Sequence, residues 1–291
     1  MKGRVITKIK GFYYVQVEET TYECRLRGIL KKKNNKDNCV TGDLVEFGED
    51  GFITKVYPRQ NIIHRPLVSN IDYLVIQFSA LDPKFDIGRF NILLLNAFYY
   101  KIKPVAVINK IELLDEEGLK ELKGQLDFLK GLDIEVFYIS TYENIGVEKV
   151  KDYIKDKITA FGGPSGAGKS SLLNMLQEEK VLEIGETSRK HSRGKHTTKG
   201  TTLLPMENGG WVIDTPGFSS IELPPIKTVD ELAGLFTEFN EYRNCKYSNC
   251  IHINEPECGI KNELNHGISQ SRYDFYLWCY KFYSEERWNK Y

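Results

Sequence analysis

The sequence predicts three folded parts in series: a small all-β barrel, an α/β domain built on a parallel sheet, and a short-looped helical region. Three observations predict them. Short alternating runs split by glycines fill the first sixty-odd residues, and near-continuous apolar runs alternate with helical spacing from Ile71 onward. Beyond residue 222, Cys245, Cys250 and Cys258 crowd together with His252.

The barrel comes first. KGRVITKIKG, FYYVQVEE, TYECRLRG, DLVEFGE and GFITKVY all have strand character, and Gly11, Gly28, Gly42 and Gly51 separate the runs. Tyr13, Val15 and Val17 alternate with Tyr14, Gln16 and Glu18, the period of a half-buried strand. Five strands in so short a stretch predict a barrel of the oligonucleotide-binding (OB) type over residues 1–65. Such barrels carry many ligands, so the fold by itself does not establish RNA binding.

The α/β domain is expected over residues 66–222. IDYLVIQFSA is apolar almost throughout, as a strand covered on both faces must be. Phe90, Leu93, Leu94, Ala97 and Phe98 follow at helical spacing, then the buried strand PVAVINK. Leu119, Leu122, Leu126 and Leu129 mark a helix, EVFYIS a strand, and Val147, Val150 and Ile154 another helix. KITAFGG then leads into GKSSLLNMLQEE, again strand before helix. TTLLPMENGGWVIDTPG reads as two strands around Asn208-Gly209-Gly210, an antiparallel edge. Residues 223–291 are helical and end in an aromatic tail, SRYDFYLWCYKFYSEERWNKY, for which core packing is favoured over base stacking.

Composition narrows the function classes. With 41% hydrophobic and 27% charged residues in 291, the chain is neither disordered nor fibrous. No run approaches the ~20 apolar residues of a membrane span. The richest, Ile92 to Tyr100, contains Asn96. Lysines scattered through MKGRVITKIKGFYYV predict no secretory signal, and the uneven cysteines suit a reducing cytosol, so a cytoplasmic location is expected. Net charge is zero, yet through Arg65 thirteen Lys and Arg face eight Asp and Glu, and ETSRKHSRGKHTTKG sets five basic residues against Glu186 alone. Two local basic surfaces could meet phosphate backbones.

Gly163-Pro164-Ser165-Gly166-Ala167-Gly168-Lys169-Ser170 fits G-x-x-x-x-G-K-[ST], with a strand before it and a helix after. Glycines let several N–H groups converge on one phosphate, and the helix N-terminus adds partial positive charge. Lys169 would reach the terminal phosphates and Ser170 would ligate magnesium; Gly162 and Ser171 complete the loop's binding set. Downstream, Asp214-Thr215-Pro216-Gly217 closes a strand, where Asp214 can hold the magnesium's hydration shell and Gly217 can offer its N–H to a γ-phosphate. Thr197 or Thr198 in the basic loop could bind magnesium when a γ-phosphate is present.

Base choice would come from Asn109-Lys110-Ile111-Glu112, close to N-K-x-D, whose carboxylate accepts from guanine N1–H and the exocyclic amine. Ser140 and Thr141 fit the small loop that supports the base. In ordinary guanine-nucleotide switches these two loops follow the phosphate motifs, whereas here they precede them. The order is a circular permutation.

On the order NKIE, GPSGAGKSS, KHTT, DTPGFSS and then CKYSNCIHINEPEC, the chain resembles the circularly permuted ribosome small-subunit-dependent GTPase A family over essentially its whole length. The resemblance implies an OB-fold barrel, a permuted GTPase domain and a zinc-binding domain. It also implies GTP hydrolysis stimulated by the small ribosomal subunit during late maturation, rRNA as a partner, and GTP and GDP as ligands. Glu112 stands where the family has Asp. A monomer that needs no membrane is expected.

Phe218 follows D-x-x-G where many such hydrolases carry Gln, so another group must orient the attacking water. His196 adjoins the threonines and has an imidazole able to accept from water; the resemblance gives its counterpart this role. Cys245-x4-Cys250-x-His252-x5-Cys258 supplies three thiolates and an imidazole within fourteen residues, a closed tetrahedral set for one structural zinc. His266 and Cys279 lie outside that set. Two rival readings remain on the residues alone. A P-loop ATPase or nucleotide kinase would use Lys169 and Ser170 but has no use for NKIE. A non-catalytic, nucleotide-regulated RNA-binding module is permitted by Phe218.

Overall fold

Lys10 and Gly11 both adopt positive φ (49° and 91°), the two-residue turn whose twist suits a hairpin, and they fold β1 (Lys2–Ile9) back on β2 (Phe12–Val17). The computed structural model describes residues 1–30, 38–64, 66–177, 201–207, 209–214, 222–286 and 288, without the Asp214 side chain. The chain divides into two compact units: Met1–Leu74, Glu148–Phe161 and Lys169–Phe218 form one, and Val75–Val147, Gly162–Gly168 and Ser219–Tyr291 the other.

In the first unit, β3 (Thr20–Leu26), β4 (Leu44–Phe47) and β5 (Phe52–Val56) complete the barrel. Its order is β1-β2-β3-β5-β4, and β4 pairs back onto β1 to close the ring; β3 and β5 are its parallel pair. Val5, Tyr13, Val15, Leu26, Val45, Phe47 and Ile53 fill the interior, which is what the alternating pattern demands. A short hairpin of β6 (Ile62–His64) and β7 (Leu67–Ser69) follows. Three-residue strands are too short to register as a period, and the sequence reading contains no counterpart.

The same unit holds β11 (Ile158–Gly162), helix α5 (Lys169–Leu176), β12 (Thr202–Pro205) and β13 (Trp211–Asp214). β13 lies parallel to β11 and antiparallel to β12. The expected antiparallel edge is not an edge. β12 also pairs with β1, Thr202 facing Asp214 on one side and Thr7 on the other. A strand with free N–H and C=O groups accepts any compatible neighbour, and the barrel supplies one. Side chains reinforce the join: the Thr7 and Thr202 hydroxyls are 3.0 Å apart, and Thr41 Oγ1 donates to the Thr201 carbonyl at 3.0 Å.

The second unit contains β8 (Tyr73–Ser79, from Val75 onward), β9 (Lys103–Asn109) and β10 (Val136–Tyr138), in the order β10-β9-β8 with β10 parallel to β9. Leu74 to Ser79 and Pro104 to Asn109 are buried without interruption. Helix α1 (Ile87–Tyr99) starts where the Asp86 carboxylate accepts from the Arg89 N–H, and it buries Phe90, Leu93, Leu94 and Ala97. The single helix expected across Leu119 to Leu129 is two, α2 (Glu116–Gln125) and α3 (Phe128–Gly131). Between them Leu126 and Asp127 donate three residues back, to Lys123 and Gly124, which tightens the last turn and ends it. Helix α4 spans Val147–Tyr153 and from Glu148 onward belongs to the first unit.

The C-terminal region adds α6 (Val229–Gly234), α7 (Gly259–Asn262) and α8 (Gln270–Glu286). The aromatic tail packs, as favoured: Tyr276 and Tyr283 are fully buried, at helical spacing with Arg272 and Cys279. Tyr276 meets Phe236 and Phe239 edge-on at 5.1 and 5.2 Å between centroids, and Trp278 remains exposed. Among the described residues no helix is long and apolar enough to cross a membrane.

Thr7→Val and Thr41→Val each remove a buried hydroxyl at the β1–β12 join. Each should cost about 1 kcal/mol in urea unfolding, with the m-value unchanged.

Candidate functional site

β9 is buried from Pro104 onward and ends on Asn109, which is 0% exposed. This is the carboxyl end of a parallel strand, the edge where open α/β sheets bind ligands. The Asn109 amide is fully used. Its Oδ1 accepts from the Thr141 N–H at 3.0 Å, and its Nδ2 donates to Thr141 Oγ1 at 3.1 Å and to the Ala167 carbonyl at 3.2 Å. One side chain thus joins the loop after β10 to the glycine-rich loop.

The loop after β10 is closed on itself. Ser140 and Ile145 exchange both backbone hydrogen bonds, at 3.0 and 2.9 Å, and Ser140 Oγ accepts from the Glu143 N–H at 3.0 Å. After Asn109, Lys110 turns through the left-handed region (φ 64°), and Ile111–Leu113 forms a 3-10 turn. Lys110 Nζ donates to the Asp82 carbonyl at 2.5 Å. Glu112 Oε2 is buried and has no hydrogen-bond partner among the described residues. A carboxylate oxygen in that state is costly, and a ligand bringing N–H donors to it would relieve the cost.

The glycine-rich loop runs from the end of β11 to the start of α5. Gly163 and Gly168 have φ of 144° and 84°. A Cβ at 163 would lie 1.9 Å from the Gln77 carbonyl oxygen, and one at 168 would lie 2.2 Å from Asn109 Nδ2. Both positions therefore need glycine for space as well as for conformation. Pro164 is half-buried, Ser165 and Gly166 are exposed, and Ala167 is buried. Ser170 and Ser171 in the first turn of α5 are exposed, and burial pushes the Lys169 ammonium below the ordinary lysine range. An anion at that helix N-terminus would favour its charged form.

Asp214 is the last residue of β13. His196, Thr197, Thr198, Thr215, Gly217 and Phe218 lie outside the described residues.

The cysteine cluster is the second site. The ligand atoms of Cys245, Cys250, His252 and Cys258 lie within 4.8 Å of one another. His252 Nδ1 is 3.5, 3.4 and 3.5 Å from the three sulfurs, and Cys245 and Cys258 Sγ are 3.9 Å apart. A tetrahedral zinc with bonds of about 2.3 Å to sulfur and 2.05 Å to nitrogen has S···N edges of about 3.5 Å and S···S edges of about 3.8 Å. The donor set fits that ion. Its backbone is held from outside: Tyr273 and Tyr276 hydroxyls donate to the His252 and Ile251 carbonyls, and the Glu255 carboxylate accepts from the Ile251 and Ile253 N–H groups.

Comparison with known proteins gives the family of the chain. A family model described as RsgA N-terminal domain matches residues 2–52, and one described as RsgA GTPase matches residues 56–224. The chain belongs to the RsgA GTPase family. A small ribosomal subunit biogenesis GTPase RsgA from Fusobacterium nucleatum subsp. nucleatum is 52% identical over 286 residues, covering 98% of this chain and 100% of that protein. Another, from Alkaliphilus metalliredigens, is 39% identical and covers 95% of each. Among solved structures, YjeQ from Thermotoga maritima matches with a TM-score of 0.85 and 32% identity over 98% of this chain and 99% of its own. YloQ, described as a circularly permuted GTPase, matches at 0.81 and 29% over 98% and 96%. The fold is therefore that of a circularly permuted GTPase domain with an N-terminal five-stranded barrel.

Gln77 and Asp82 also touch these loops, and the sequence reading contains neither. Gln77 Nε2 donates to the Ala167 carbonyl at 3.0 Å. The signal was faint: one Gln inside the apolar run IDYLVIQFSA.

Gly168→Ala would push Asn109 off Ala167 and Thr141, so nucleotide affinity should fall more than about tenfold by titration calorimetry. Cys258→Ser should lower bound zinc from about one per chain, measured by elemental analysis, and should lower the melting temperature.

Proposed function

We propose that this chain is a GTPase and late assembly factor of the small ribosomal subunit, bound to rRNA with GTP and released after the subunit stimulates hydrolysis. The observation that carries the reading is the Asn109 side chain, which ties Thr141 in the base loop to Ala167 in the phosphate loop. A nucleotide needs both loops at once, one for its base and one for its phosphates. Glu112, with a buried and unpartnered Oε2, suits guanine, whose N1–H and exocyclic amine are donors where adenine has none so arranged. Relatives named as small ribosomal subunit biogenesis GTPases support the ribosomal part.

The residue roles follow from the motifs. Gly162 to Ser171 cradle the phosphates, Lys169 neutralises the terminal ones, and Ser140 with Thr141 backs the base. Ser170, Asp214 and one of Thr197 and Thr198 would hold magnesium, which offsets charge developing on the β- and γ-oxygens. Gly217 offers its N–H to the γ-phosphate. His196 orients the water that attacks the γ-phosphorus as the bond to GDP breaks. Cys245, Cys250, His252 and Cys258 would hold one structural zinc, and with no open coordination position it has no part in the hydrolysis. The working parts are residues 1–65 as the barrel, 66–222 as the GTPase domain and 223–291 as the zinc-binding domain of a cytoplasmic monomer.

Multiple-turnover phosphate release tests this reading. GTP should be cleaved in preference to ATP, and purified small subunits should accelerate the reaction; equal rates with and without subunits would remove the ribosomal part. His196→Ala should lower kcat at least about tenfold while leaving GTP affinity within about twofold, since orienting water acts on the transition state.

A further inference from the structure

The residue least expected in its place is Gln77. It sits on β8 among Leu74, Val75, Ile76 and Phe78, all fully or almost fully buried, and is itself 0% exposed. An amide there must be satisfied or be costly. Only half of it is satisfied. Nε2 donates to the Ala167 carbonyl at 3.0 Å, whereas Oε1 is buried with no partner among the described residues. Turning the amide over would set two acceptors against each other, because a carbonyl oxygen cannot donate.

We infer that Gln77 is a positioning residue for the phosphate loop: with Asn109 it fixes the Ala167–Gly168 peptide so that the Gly168 N–H faces the bound phosphates. The inference rests on the nucleotide-binding reading above. In a trans peptide the carbonyl oxygen and the following N–H point in opposite directions. Two buried donors, Gln77 Nε2 and Asn109 Nδ2, hold the Ala167 oxygen from the sheet side. The Gly168 N–H is thereby turned away from the sheet, toward the hollow of the loop. At the loop's other end the backbone carbonyl of residue 77 lies where a Cβ at Gly163 would be, a contact that any residue at 77 would keep. A single donor would leave the peptide free to rock about that one bond. The second removes this freedom before the ligand arrives, and such preorganisation appears as affinity.

Leu or Met at 77 would fill similar space without an unpaired oxygen, so stability alone gives no reason for the amide. That separates this role from a structural one. Gln77→Met should leave the urea midpoint of the nucleotide-free protein unchanged or raised, while weakening GDP and GTP binding about five- to tenfold, the worth of one buried hydrogen bond. KM for GTP should rise in step and kcat at saturation should stay within about twofold. Gln77→Leu should behave alike. A fall in stability together with affinity, failure to fold, or unchanged affinity would each overturn the inference. A wild-type chain that binds neither nucleotide would overturn the functional reading along with it; a wild type that binds, beside a Gln77→Met protein that binds equally, would overturn this inference alone.

Discussion

The carbonyl of Ala167, held by two buried amides, is the point on which the proposed nucleotide site depends. A loop that turns its N–H groups inward must adopt conformations few residues tolerate, here at Gly163 and Gly168, and such a loop persists only when its surroundings over-determine it. Two amides from the neighbouring strands do so. Asn109 also holds both the N–H and the hydroxyl of Thr141, so the base loop and the phosphate loop share one hydrogen-bonding group. Ordering either loop lowers the cost of ordering the other. This coupling passes through a side chain 58 residues away along the chain from its carbonyl partner, so permuting the order of the motifs leaves it intact.

Chain order matters elsewhere. Thr202 is paired with Asp214 of β13 and with Thr7 of the barrel, so one four-residue strand is shared between β13 and the barrel. The Thr41 hydroxyl pins the carbonyl of Thr201, the residue that enters this strand from the basic loop. A displacement of β12 cannot leave β1 indifferent, because a β ladder transmits shifts through fixed register rather than through flexible linkers. On the other side of the motif, the chain beyond Gly217 runs into a region whose core is a cluster of interlocked rings closed by α8.

Legibility tracked the range of the interactions involved. That Asn109, Thr141 and the glycine-rich loop come together was readable because each stretch is written in adjacent residues with a fixed spacing. The metal cluster was readable for the same reason. Strands buried on both faces announced themselves as unbroken apolar runs. The β12–β1 pairing was hidden, because a strand's sequence shows which face is buried but not which neighbour its backbone takes. The break between α2 and α3 was hidden by leucines whose spacing persists across it: Leu122, Leu126 and Leu129 remain buried while the backbone changes register. Gln77 was visible only as an anomaly, one amide in an apolar run.

The buried side-chain atoms without partners carry a second message. Among the described residues they are Gln77 Oε1, Glu112 Oε2, Thr159 Oγ1, Glu238 Oε2 and Arg272 Nη2. The last two belong to one ion pair, Arg272 Nε to Glu238 Oε1 at 2.7 Å, with the guanidinium 4.6 Å from the Phe236 ring centre. Packing and charge offset those vacancies locally. Glu112 and Gln77 differ from them and from each other. On the function proposed above, Oε2 of Glu112 would accept from a guanine edge, and its desolvation cost would be returned on binding as selectivity between bases. Oε1 of Gln77 has no partner among the described residues, so the nucleotide-free protein carries its cost. A cost at a fully buried position is offset where the other end of the same group fixes something of greater worth, and the other end of Gln77 holds the Ala167 carbonyl of the glycine-rich loop.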